Sequence, residues 1–479
     1  MPSYDYDLIT IGAGAGGFVS SKVAAGFGKK VAMIEKNLLG GECTNVGCVP
    51  SKALLKAAAV AHQARHLRNY GLDTAGDLVV SGKHAMRYAR KAVRKVYDSH
   101  PAEAFEKLGI NVLFGAPRFL DSHRIEINGK TISSKYFMIC TGSSASLPQL
   151  DGLASVPYYT NENLFEIDEM PTSLLVLGAG PVGIEMAQAF HRLGAPATVV
   201  AKYDRILRHE DRELSGMLEN RLVEEGIRFV HEARSVKVSP GGAGIVLTAE
   251  RNGAAEDLTA AALLVAVGRK PNTDGLDLEK AGVRFGPKGV VTDRYLRTTN
   301  PNIFACGDVV GPYQFSHMTE YQAITATRNM FLPFKKKVNY DTVVWGTFTD
   351  PELAHAGMTE EEAREQYGEE VRIYRMGYGD MDRGRTDSTE FGMAKYIVGS
   401  TGKLLGAHIL GERAGDIIHE AQLIRHLGLP FSTLASMIHI YPTYTDMVRQ
   451  PAKRYYIDRL RENPLVKLAA TVFGSKPKR

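Results

Sequence analysis

Two glycine-rich turns, at residues 12–17 and 178–183, constrain the fold of this chain more than any other feature. Each turn follows a short apolar, β-rich run and precedes a helix-forming segment and a second β-rich run. Glycines at the first, third and sixth positions allow a tight turn, the close approach of a pyrophosphate and helix–strand packing. These positions are Gly12, Gly14 and Gly17 in the first copy and Gly178, Gly180 and Gly183 in the second. Two complete βαβ fingerprints predict two bound dinucleotides.

The two copies differ in the residues that follow their second β-rich run. The first run ends at Glu35, about twenty residues beyond the turn, where a carboxylate holds a ribose hydroxyl. The second run ends Val200-Ala201-Lys202 and has no acidic residue there. Lys202 and Arg208 flank the place where a ribose 2′-phosphate would lie, although both could also be solvated surface charges. The sequence therefore favours NADPH as the second dinucleotide, with NADH also possible.

A cysteine pair lies just after the first βαβ unit. Cys43 and Cys48 occupy a glycine-rich turn that runs into the helix-forming segment 53–61. Cys48 is predicted at or just before the first helical turn, where free backbone N–H groups and the helix dipole lower a thiol pKa, and Lys52 adds a positive charge. A zinc site or a purely stabilising disulfide is the alternative, but zinc ligands usually come as two pairs. The other cysteines, Cys140 and Cys306, are single and distant in the sequence, so a redox-active pair is favoured.

The segment Gly40–Lys52 resembles, almost residue for residue, the active-site segment of the flavoprotein disulfide reductases, which include dihydrolipoyl dehydrogenase, glutathione reductase and mercuric reductase. The resemblance implies that the first turn and Glu35 bind FAD. It implies that hydride passes from NADPH to FAD and that FAD reduces a Cys43–Cys48 disulfide. Cys48 is then the sulfur against the flavin and Cys43 the one offered to the substrate, while Lys52 pairs with Glu185 near the flavin.

The same resemblance assigns further contacts and the spacing of the phosphate-binding pair. Lys202 and Arg208 stand at the spacing of two arginines in NADPH-dependent glutathione reductase. Cys140 stands where the family usually has alanine and is predicted to be a small buried core residue. The aspartate of the segment 303–308 bonds the ribityl chain of FAD in the family. The additional residues assigned to cofactor binding are Thr141, Gly142, Gly268, Arg269 and Asp308.

The predicted fold class is α/β, with two Rossmann-like dinucleotide-binding domains and an α+β C-terminal dimerisation domain built on a mixed sheet. The predicted FAD domain covers residues 1–152 and 273–340, the NAD(P) domain 153–272 and the interface domain 341–479. A basic helical stretch over 73–108 is assigned no chemistry. The resemblance implies a homodimer in which each site is completed by the C-terminal domain of the other chain.

The resemblance breaks at the acid–base residue of the disulfide-reducing members. They carry a His-Pro-Thr segment with a glutamate three residues after the threonine; here Tyr441 stands at the histidine position and Asp446 at the glutamate position. A phenol of pKa near 10 cannot cycle a proton at neutral pH as imidazole does. His439, two residues upstream, either substitutes or is an unrelated histidine. The predicted electron acceptor is therefore a disulfide, a metal ion or a quinone, and it is either a small molecule or a small protein. No resident metal ion is predicted. A dihydrolipoyl dehydrogenase that uses His439 is the alternative.

The charge of the chain is concentrated at its C-terminal end. The formal net charge is +5, but residues 449–479 carry nine Lys or Arg against two acidic residues, which leaves the rest near −2. The body gives no reason to predict nucleic-acid binding. The tail, with amphipathic pieces on either side of Pro464, either rests on an anionic membrane or a protein partner or packs as a terminal helix on its own dimer. A membrane- or partner-bound redox sensor with little turnover is a second alternative.

Few cysteines, no signal-like start and no apolar run of about 20 residues predict a cytoplasmic protein, at most peripheral to the inner membrane face. The extra C-terminal cysteine pair common in mercuric reductases is absent from these 479 residues.

Overall fold

The computed structural model describes residues 3–73, 76, 79–242 and 244–473. Its residues group into two units. The first unit comprises 1–63, 78–202 and 227–339, and the second comprises 64–77, 203–226 and 340–479. The predicted division of the first unit into an FAD and a nicotinamide domain stays a prediction.

The helices and strands of the described residues follow in chain order. The helices are α1 Ala15–Gly26, α2 Gly41–Asn45, α3 Cys48–Arg65, α4 Gly82–Asp98, α5 Ala102–Glu106, α6 Pro181–Arg192, α7 Arg212–Glu224, α8 Ser316–Phe331, α9 Glu360–Tyr367, α10 Asp382–Thr386, α11 Ala414–Leu427, α12 Thr433–Ser436, α13 Asp446–Glu462 and α14 Pro464–Phe473. The strands are β1 Tyr6–Ile11, β2 Val31–Glu35, β3 Ile110–Phe114, β4 Arg118–Phe119, β5 Arg124–Ile127, β6 Lys130–Ile139, β7 Ser143–Ala145, β8 Leu174–Leu177, β9 Ala197–Val200, β10 Arg228–Val230, β11 Arg234–Gly241, β12 Gly244–Arg251, β13 Ala254–Ala260, β14 Ala262–Val265, β15 Arg269–Pro271, β16 Phe285–Gly286, β17 Gly289–Val290, β18 Ile303–Ala305, β19 Val344–Thr347, β20 Glu352–Gly357, β21 Arg372–Gly377, β22 Met393–Val398 and β23 Leu404–Gly411.

The first unit contains the same parallel arrangement twice. In the larger sheet the strand order is β3-β2-β1-β6, with β18 parallel to β6 and the antiparallel strands β5 and β4 extending from it. In the second sheet the order is β10-β9-β8-β14, and all neighbours are parallel. Strand β8 is wholly apolar and buried, and β1 is buried from Leu8 to Ile11, as parallel strands covered on both faces must be. This doubly wound order confirms the predicted Rossmann-like folds.

Two smaller pairings complete the first unit. Strands β11, β12 and β13 form an antiparallel sheet whose inward side chains share a core with the second parallel sheet. Strand β15 pairs antiparallel with β7, so the chain returning from the second βαβ unit is fixed beside the end of the first. This pairing holds the segment 268–272 next to the turn 141–145.

The second unit is built on a five-stranded sheet of order β19-β20-β23-β22-β21. Every adjacent pair is antiparallel, so the prediction of a mixed sheet is wrong. Short hairpin-like connections link β19 to β20 and β22 to β23, and such connections produce antiparallel neighbours. Helices α11 and α13 cover the sheet through a core rich in buried aromatic residues, among them Tyr396, Phe431 and Tyr455.

A buried ion-pair cluster also stabilises the second unit. The Lys395 side chain on β22 is 3 % exposed, and its Nζ lies 2.8 Å from Asp211 Oδ1, 2.6 Å from Glu213 Oε2 and 3.1 Å from Glu360 Oε2. Asp211 also caps α7 by accepting from the backbone N–H of Glu213 and of Leu214. Because a buried ammonium without partners is costly, these carboxylates hold α7 on the sheet. Residues 203–226 consequently group with the second unit, although the sequence places them in the nicotinamide domain.

Several predictions fall partly outside the described residues. The basic helical stretch is present as α4 and α5, but residues 74, 75, 77 and 78 of the predicted range are outside the described part. The tail forms α13 and α14, with Pro464 as the first residue of α14; Lys476, Lys478 and Arg479 lie outside the described part. Among the helices that the structure describes, none has the length and apolar character needed to cross a membrane.

Candidate active site

The two glycine turns have the same local geometry. In each turn a Cβ on the third fingerprint glycine would meet the carbonyl oxygen of the first: 1.9 Å at Gly17 and 2.0 Å at Gly183. Only glycine lets the helix pack this close to the strand that precedes it. Helices α1 and α6 therefore begin directly over the ends of β1 and β8, with free N–H groups available to an anion. Each glycine turn, together with the N-terminus of the helix after it, forms a cradle that fits a pyrophosphate. The first cradle fits FAD, because it directly precedes the cysteine pair in the chain.

The cysteine segment is docked on the first glycine turn. The Gly40 N–H donates to Ala13 O at 2.9 Å, and a Cβ on Gly41 would lie 2.8 Å from Gly14 Cα. Gly41 also has a φ of +58°, which side-chain-bearing residues rarely adopt. Helix α3 begins at Cys48, as predicted. The fold thus brings the cysteine pair to the edge of the cradle.

The two thiols are electrostatically unequal. Cys48 is exposed and Cys43 half-buried. A hydrogen bond from Cys43 lowers the pKa of Cys48 to about 6, although partial desolvation of the thiol opposes this shift. The pKa is lowered further by Ser316, whose Oγ lies 3.6 Å from Cys48 Sγ, and by the positive charge of Lys52. The same hydrogen bond, together with burial, raises the pKa of Cys43 well above its usual range. Cys48 is therefore the thiolate of the pair at neutral pH.

Lys52 and Glu185 form the ion pair that the resemblance implies. Lys52 Nζ lies 2.8 Å from Glu185 Oε2, and the side chains are 36 % and 5 % exposed. Lys52 lies one turn after Cys48 on α3, and Glu185 lies on α6 of the second βαβ unit. The pair joins the two nucleotide-binding repeats beside the thiolate.

A second chain of polar contacts links the cysteine segment to the predicted FAD contacts. Arg269 binds Glu42 through both terminal nitrogens, one of them at 2.7 Å from Oε1. Its Nε donates to Ser143 Oγ at 2.8 Å, and Ser143 Oγ donates to Asp308 Oδ2 at 2.5 Å. The charge and hydrogen bonds of Glu42 raise the pKa of Arg269 against the opposing effect of burial. Arg269 and Asp308 are thus brought together, with Glu42 directly before Cys43.

The turn at 141–142 is held by the returning segment. Thr141 Oγ1 donates to Asn272 O at 2.6 Å, and Asn272 Nδ2 donates back to Thr141 O at 2.9 Å. Gly268 O accepts from the Ser146 N–H at 2.9 Å.

Glu35, 7 % exposed, accepts from the backbone N–H of Ala13 and of Asn37, each at 2.8 Å. The carboxylate of Glu35 is therefore fixed beside the first turn, where it fits a ribose.

The second repeat has no carboxylate at the position equivalent to Glu35. The Gly12 N–H donates to Ile34 O and the Gly178 N–H to Val200 O. This match makes Ala201 the counterpart of Glu35, and Ala201 is only 1 % exposed. Lys202, the next residue, is exposed. Arg208, in the second unit, stacks on Tyr203 with its guanidinium carbon 4.3 Å from the ring centroid.

The residues predicted for the acid–base position lie in the second unit and have separate partners. Tyr441 is 65 % exposed and donates to Asp382 Oδ2 at 2.5 Å, and this hydrogen bond raises the pKa of the phenol. Asp446 Oδ1 instead accepts from Arg449 Nε at 2.9 Å.

His439 has a partner on each ring nitrogen. Nε2 lies 3.0 Å from Glu420 Oε2 and Nδ1 lies 3.1 Å from Met437 O, and the side chain is 5 % exposed. This arrangement favours the structural alternative for His439, because neither nitrogen is open to a substrate.

Several site residues escape sequence reasoning. Glu42 stands inside the cysteine segment and Asn272 ends the returning segment 268–272, but the sequence assigns neither a role, and Ser316 and Asp382 belong to no motif that the sequence displays. Their partners are 59 to 268 residues away in the chain. Cys140 is buried, as predicted, and although it is 166 residues from Cys306 in the sequence, the two sulfurs lie 3.8 Å apart. Across the described ranges, no cluster of three or more His, Cys, Asp or Glu is arranged to hold a metal ion.

Comparison with known proteins agrees with this geometry. The family model described as pyridine nucleotide-disulphide oxidoreductase matches residues 6–330, and the model of its dimerisation domain matches residues 343–452, which supports the predicted homodimer. The mercuric reductase of Bacillus cereus is 35 % identical over 93 % of this chain and 70 % of its own length. The dihydrolipoyl dehydrogenase of Thermus scotoductus is 33 % identical over 94 % of this chain and 97 % of its own.

Solved structures give the same answer. The HOCl-induced flavoprotein disulfide reductase RclA from Escherichia coli has a TM-score of 0.84 and 27 % identity, covering 94 % of this chain and 99 % of its own. Its Cu(II) complex has a TM-score of 0.83 and 26 % identity, covering 95 % of this chain and 100 % of its own. The fold, the cysteine segment and both family matches make this chain a member of the pyridine nucleotide-disulphide oxidoreductases, enzymes that use FAD and NAD(P)H.

Proposed function

We propose that this enzyme takes electrons from NADPH and delivers them through Cys43 and Cys48 to a thiolate-seeking metal ion, with Cu(II) as the first candidate. The observation that carries the proposal is Tyr441, which stands at the family's histidine position and donates to Asp382. The acceptor is the proposed part, and the flavin-dependent oxidoreductase class follows from the family.

Bound FAD would supply hydride acceptance and two-electron transfer to the cysteine pair. The first glycine turn, Glu35 and Asp308 would hold it. Cys48, with its pKa near 6, is the sulfur that carries negative charge, and Lys52 stabilises that charge. Cys43 keeps its proton until a ligand or base removes it.

The choice of acceptor depends on proton transfer. Reducing a disulfide releases a thiolate that must be protonated, and a positioned acid supplies this in the histidine-containing members. The hydrogen bond to Asp382 raises the pKa of Tyr441, so this phenol is a poor acid–base group at neutral pH. A metal ion needs no such proton. Two Cu(II) ions can bind the thiolates and each gain one electron, while the two sulfurs lose two electrons and form a disulfide.

The relatives support the same class of acceptor. Proteins similar to this chain are named mercuric reductases, and the similar RclA structure is a Cu(II) complex. The chain has four cysteines, and the second pair, Cys140 and Cys306, is buried. Because both sulfurs of this pair are buried, they cannot hand Hg(II) to Cys43 and Cys48, and this favours Cu(II).

Steady-state NADPH oxidation under anaerobic conditions tests the choice of acceptor. We expect saturable turnover with Cu(II) and, with lipoamide or glutathione disulfide, rates lower than those of histidine-containing relatives by roughly 100- to 10,000-fold. Turnover of lipoamide at the relatives' rate would identify the chain as a dihydrolipoyl dehydrogenase instead.

We propose NADPH rather than NADH as the donor. The buried Ala201 replaces the carboxylate that would repel a 2′-phosphate, and Lys202 is exposed beside it. Changing Lys202 and Arg208 together to glutamine should raise KM for NADPH at least tenfold and leave KM for NADH nearly unchanged. Equal effects on the two coenzymes, or a preference of the wild type for NADH, would refute this assignment. Lys270→Gln, an exposed charge outside the repeat, is the matched control.

The C-terminal tail carries a further proposal. The described residues 464–470 of α14 are exposed, with Leu465 at 74 % and Leu468 at 62 %, and these support a contact of the tail with an anionic surface or a partner. Co-sedimentation with anionic vesicles would test this contact. The cytoplasmic location also stays a proposal, supported by the small number of cysteines.

A further inference from the structure

Two buried cysteines that the proposed electron path does not use lie side by side beneath the first glycine turn. Cys140 directly follows β6 and Cys306 directly follows β18. These strands are parallel and in register, with Ala305 opposite Ile139, so the two cysteines are the next opposed pair. Their sulfurs are 3.8 Å apart, and the residues are 8 % and 0 % exposed.

The backbone at this point suits a disulfide. Neighbouring strands lie about 4.8 Å apart, which falls inside the range of roughly 4.4–6.8 Å that the Cα atoms of a disulfide span. Closure needs the sulfurs to approach to about 2.05 Å, and small side-chain rotations suffice. We propose that Cys140 and Cys306 are a second redox pair, which closes into an internal disulfide when the protein meets hydrogen peroxide.

The chemistry balances with the peroxide as the only oxidant. The sulfur of one cysteine attacks a peroxide oxygen, the O–O bond breaks, and a sulfenic acid and one water form. The second sulfur then attacks the sulfenic sulfur, the S–O bond breaks, and the disulfide and a second water form. The two thiols lose two electrons and two protons. Either sulfur can make the first attack, because the other lies 3.8 Å away and can make the second.

Packing around the pair favours closure over further oxidation. A Cβ on Gly16 would lie 3.0 Å from Cys306 Sγ and 3.1 Å from Cys140 Cβ. The first turn of α1 thus packs closely against both cysteines, so the second thiol, 3.8 Å away, reaches a sulfenic sulfur before a second peroxide can diffuse in. A small, neutral peroxide is the suitable oxidant for so enclosed a pair, and we expect closure to be slower than at the exposed Cys48.

The disulfide would tie together the two segments that carry the predicted FAD contacts. Thr141 and Gly142 follow Cys140, and Asp308 lies two residues after Cys306. A cross-link between positions so far apart in the chain restricts the unfolded state. The oxidised protein should therefore melt several degrees higher than the reduced one and keep its flavin to a higher temperature.

Peptide mapping of the holoenzyme tests the inference. The protein is treated with hydrogen peroxide, quenched in acid with N-ethylmaleimide, and digested without reduction. We expect a linked peptide containing Cys140 and Cys306, lighter than the two thiol peptides by two hydrogens. Addition of NADPH before the quench should restore the thiols of Cys43 and Cys48 only. N-Ethylmaleimide should then label these two of the four cysteines, while Cys140 and Cys306 stay linked to each other.

The variant Cys140→Ala is the matched control. It removes the second sulfur, so we expect the sulfenic acid on Cys306 to persist and to be trapped as a dimedone adduct when the oxidised protein is unfolded in the presence of dimedone, with no linked peptide and no rise in melting temperature. Two outcomes would overturn the inference: free thiols at both Cys140 and Cys306 after peroxide has oxidised the Cys43–Cys48 pair, or a sulfinic acid on Cys306 in the wild type.

Discussion

The variant Cys48→Ser is expected to lose all NADPH-driven reduction of external acceptors. Cys48 is the thiolate of the pair because its pKa is lowered to about 6, chiefly by the hydrogen bond from Cys43. A serine hydroxyl in its place stays protonated and cannot form the disulfide. The holoenzyme reduced by two electrons should also lose its long-wavelength thiolate-to-flavin absorbance, which a spectrophotometric titration would record.

Cys43→Ser is the matched control for this prediction. It keeps a hydroxyl donor to Cys48 and leaves Cys48 as a free thiolate without any reduction, so the band should be present while the flavin is oxidised, although acceptor reduction is lost. In the wild type the band depends on the Cys48 thiolate, because the pKa of this thiol is lowered to about 6. The band should therefore reach full intensity well above pH 6 and fade as the pH falls through about 6. A band that survives in Cys48→Ser would exchange the roles of the two cysteines.

The variant Tyr441→His is expected to raise lipoamide or glutathione disulfide reduction by roughly 100-fold, the lower end of the effect of positioned proton transfer. The gain is limited because the Asp446 carboxylate, which would orient an imidazole, already binds Arg449. Asp382, which accepts from the Tyr441 hydroxyl, can take over part of that orientation. Steady-state kinetics with each disulfide would measure the gain.

Tyr441→Phe separates proton transfer from packing at the same position. It should leave Cu(II) turnover and the low disulfide turnover unchanged, since the phenol is assigned no proton transfer in either. His439→Gln should also be harmless, because both nitrogens of His439 already have partners. An inactive His439→Gln variant beside a fully active Tyr441→Phe would make His439 the acid–base group.

Local features of the sequence predict most of the fold. Each glycine fingerprint specifies a strand, a turn and a helix within thirty or so residues, and the third glycine is required by contact with the first in the same turn. The turn at 178–183, for example, is preceded by strand β8 at 174–177 and followed by helix α6 at 181–192 and strand β9 at 197–200. The strand directions of the second unit could not be obtained this way, because they depend on how distant segments pair.

The parts of the site that escape prediction all depend on long-range register. Cys140 and Cys306 are neighbours only because β6 and β18, whose cysteines are 166 residues apart, lie parallel and in register. Lys395 reads as a surface charge within an apolar strand, yet it is buried by carboxylates from two other segments. Tyr441 is identified by its motif, but its partner Asp382 lies 59 residues upstream. Motifs identify the residue types, but the partners of these residues are given only by the fold.

The central claim, that electrons leave through Cys43 to a metal ion, is tested most directly by counting Cu(I) formed per NADPH under anaerobic conditions with a Cu(I)-specific chelator. Each NADPH supplies two electrons, so the wild type should yield two Cu(I) per NADPH, and Cys43→Ala should yield none above the rate without enzyme. Reduction of Cu(II) by Cys43→Ala at the wild-type rate would contradict the account, because the electrons would then leave without passing through the cysteine pair.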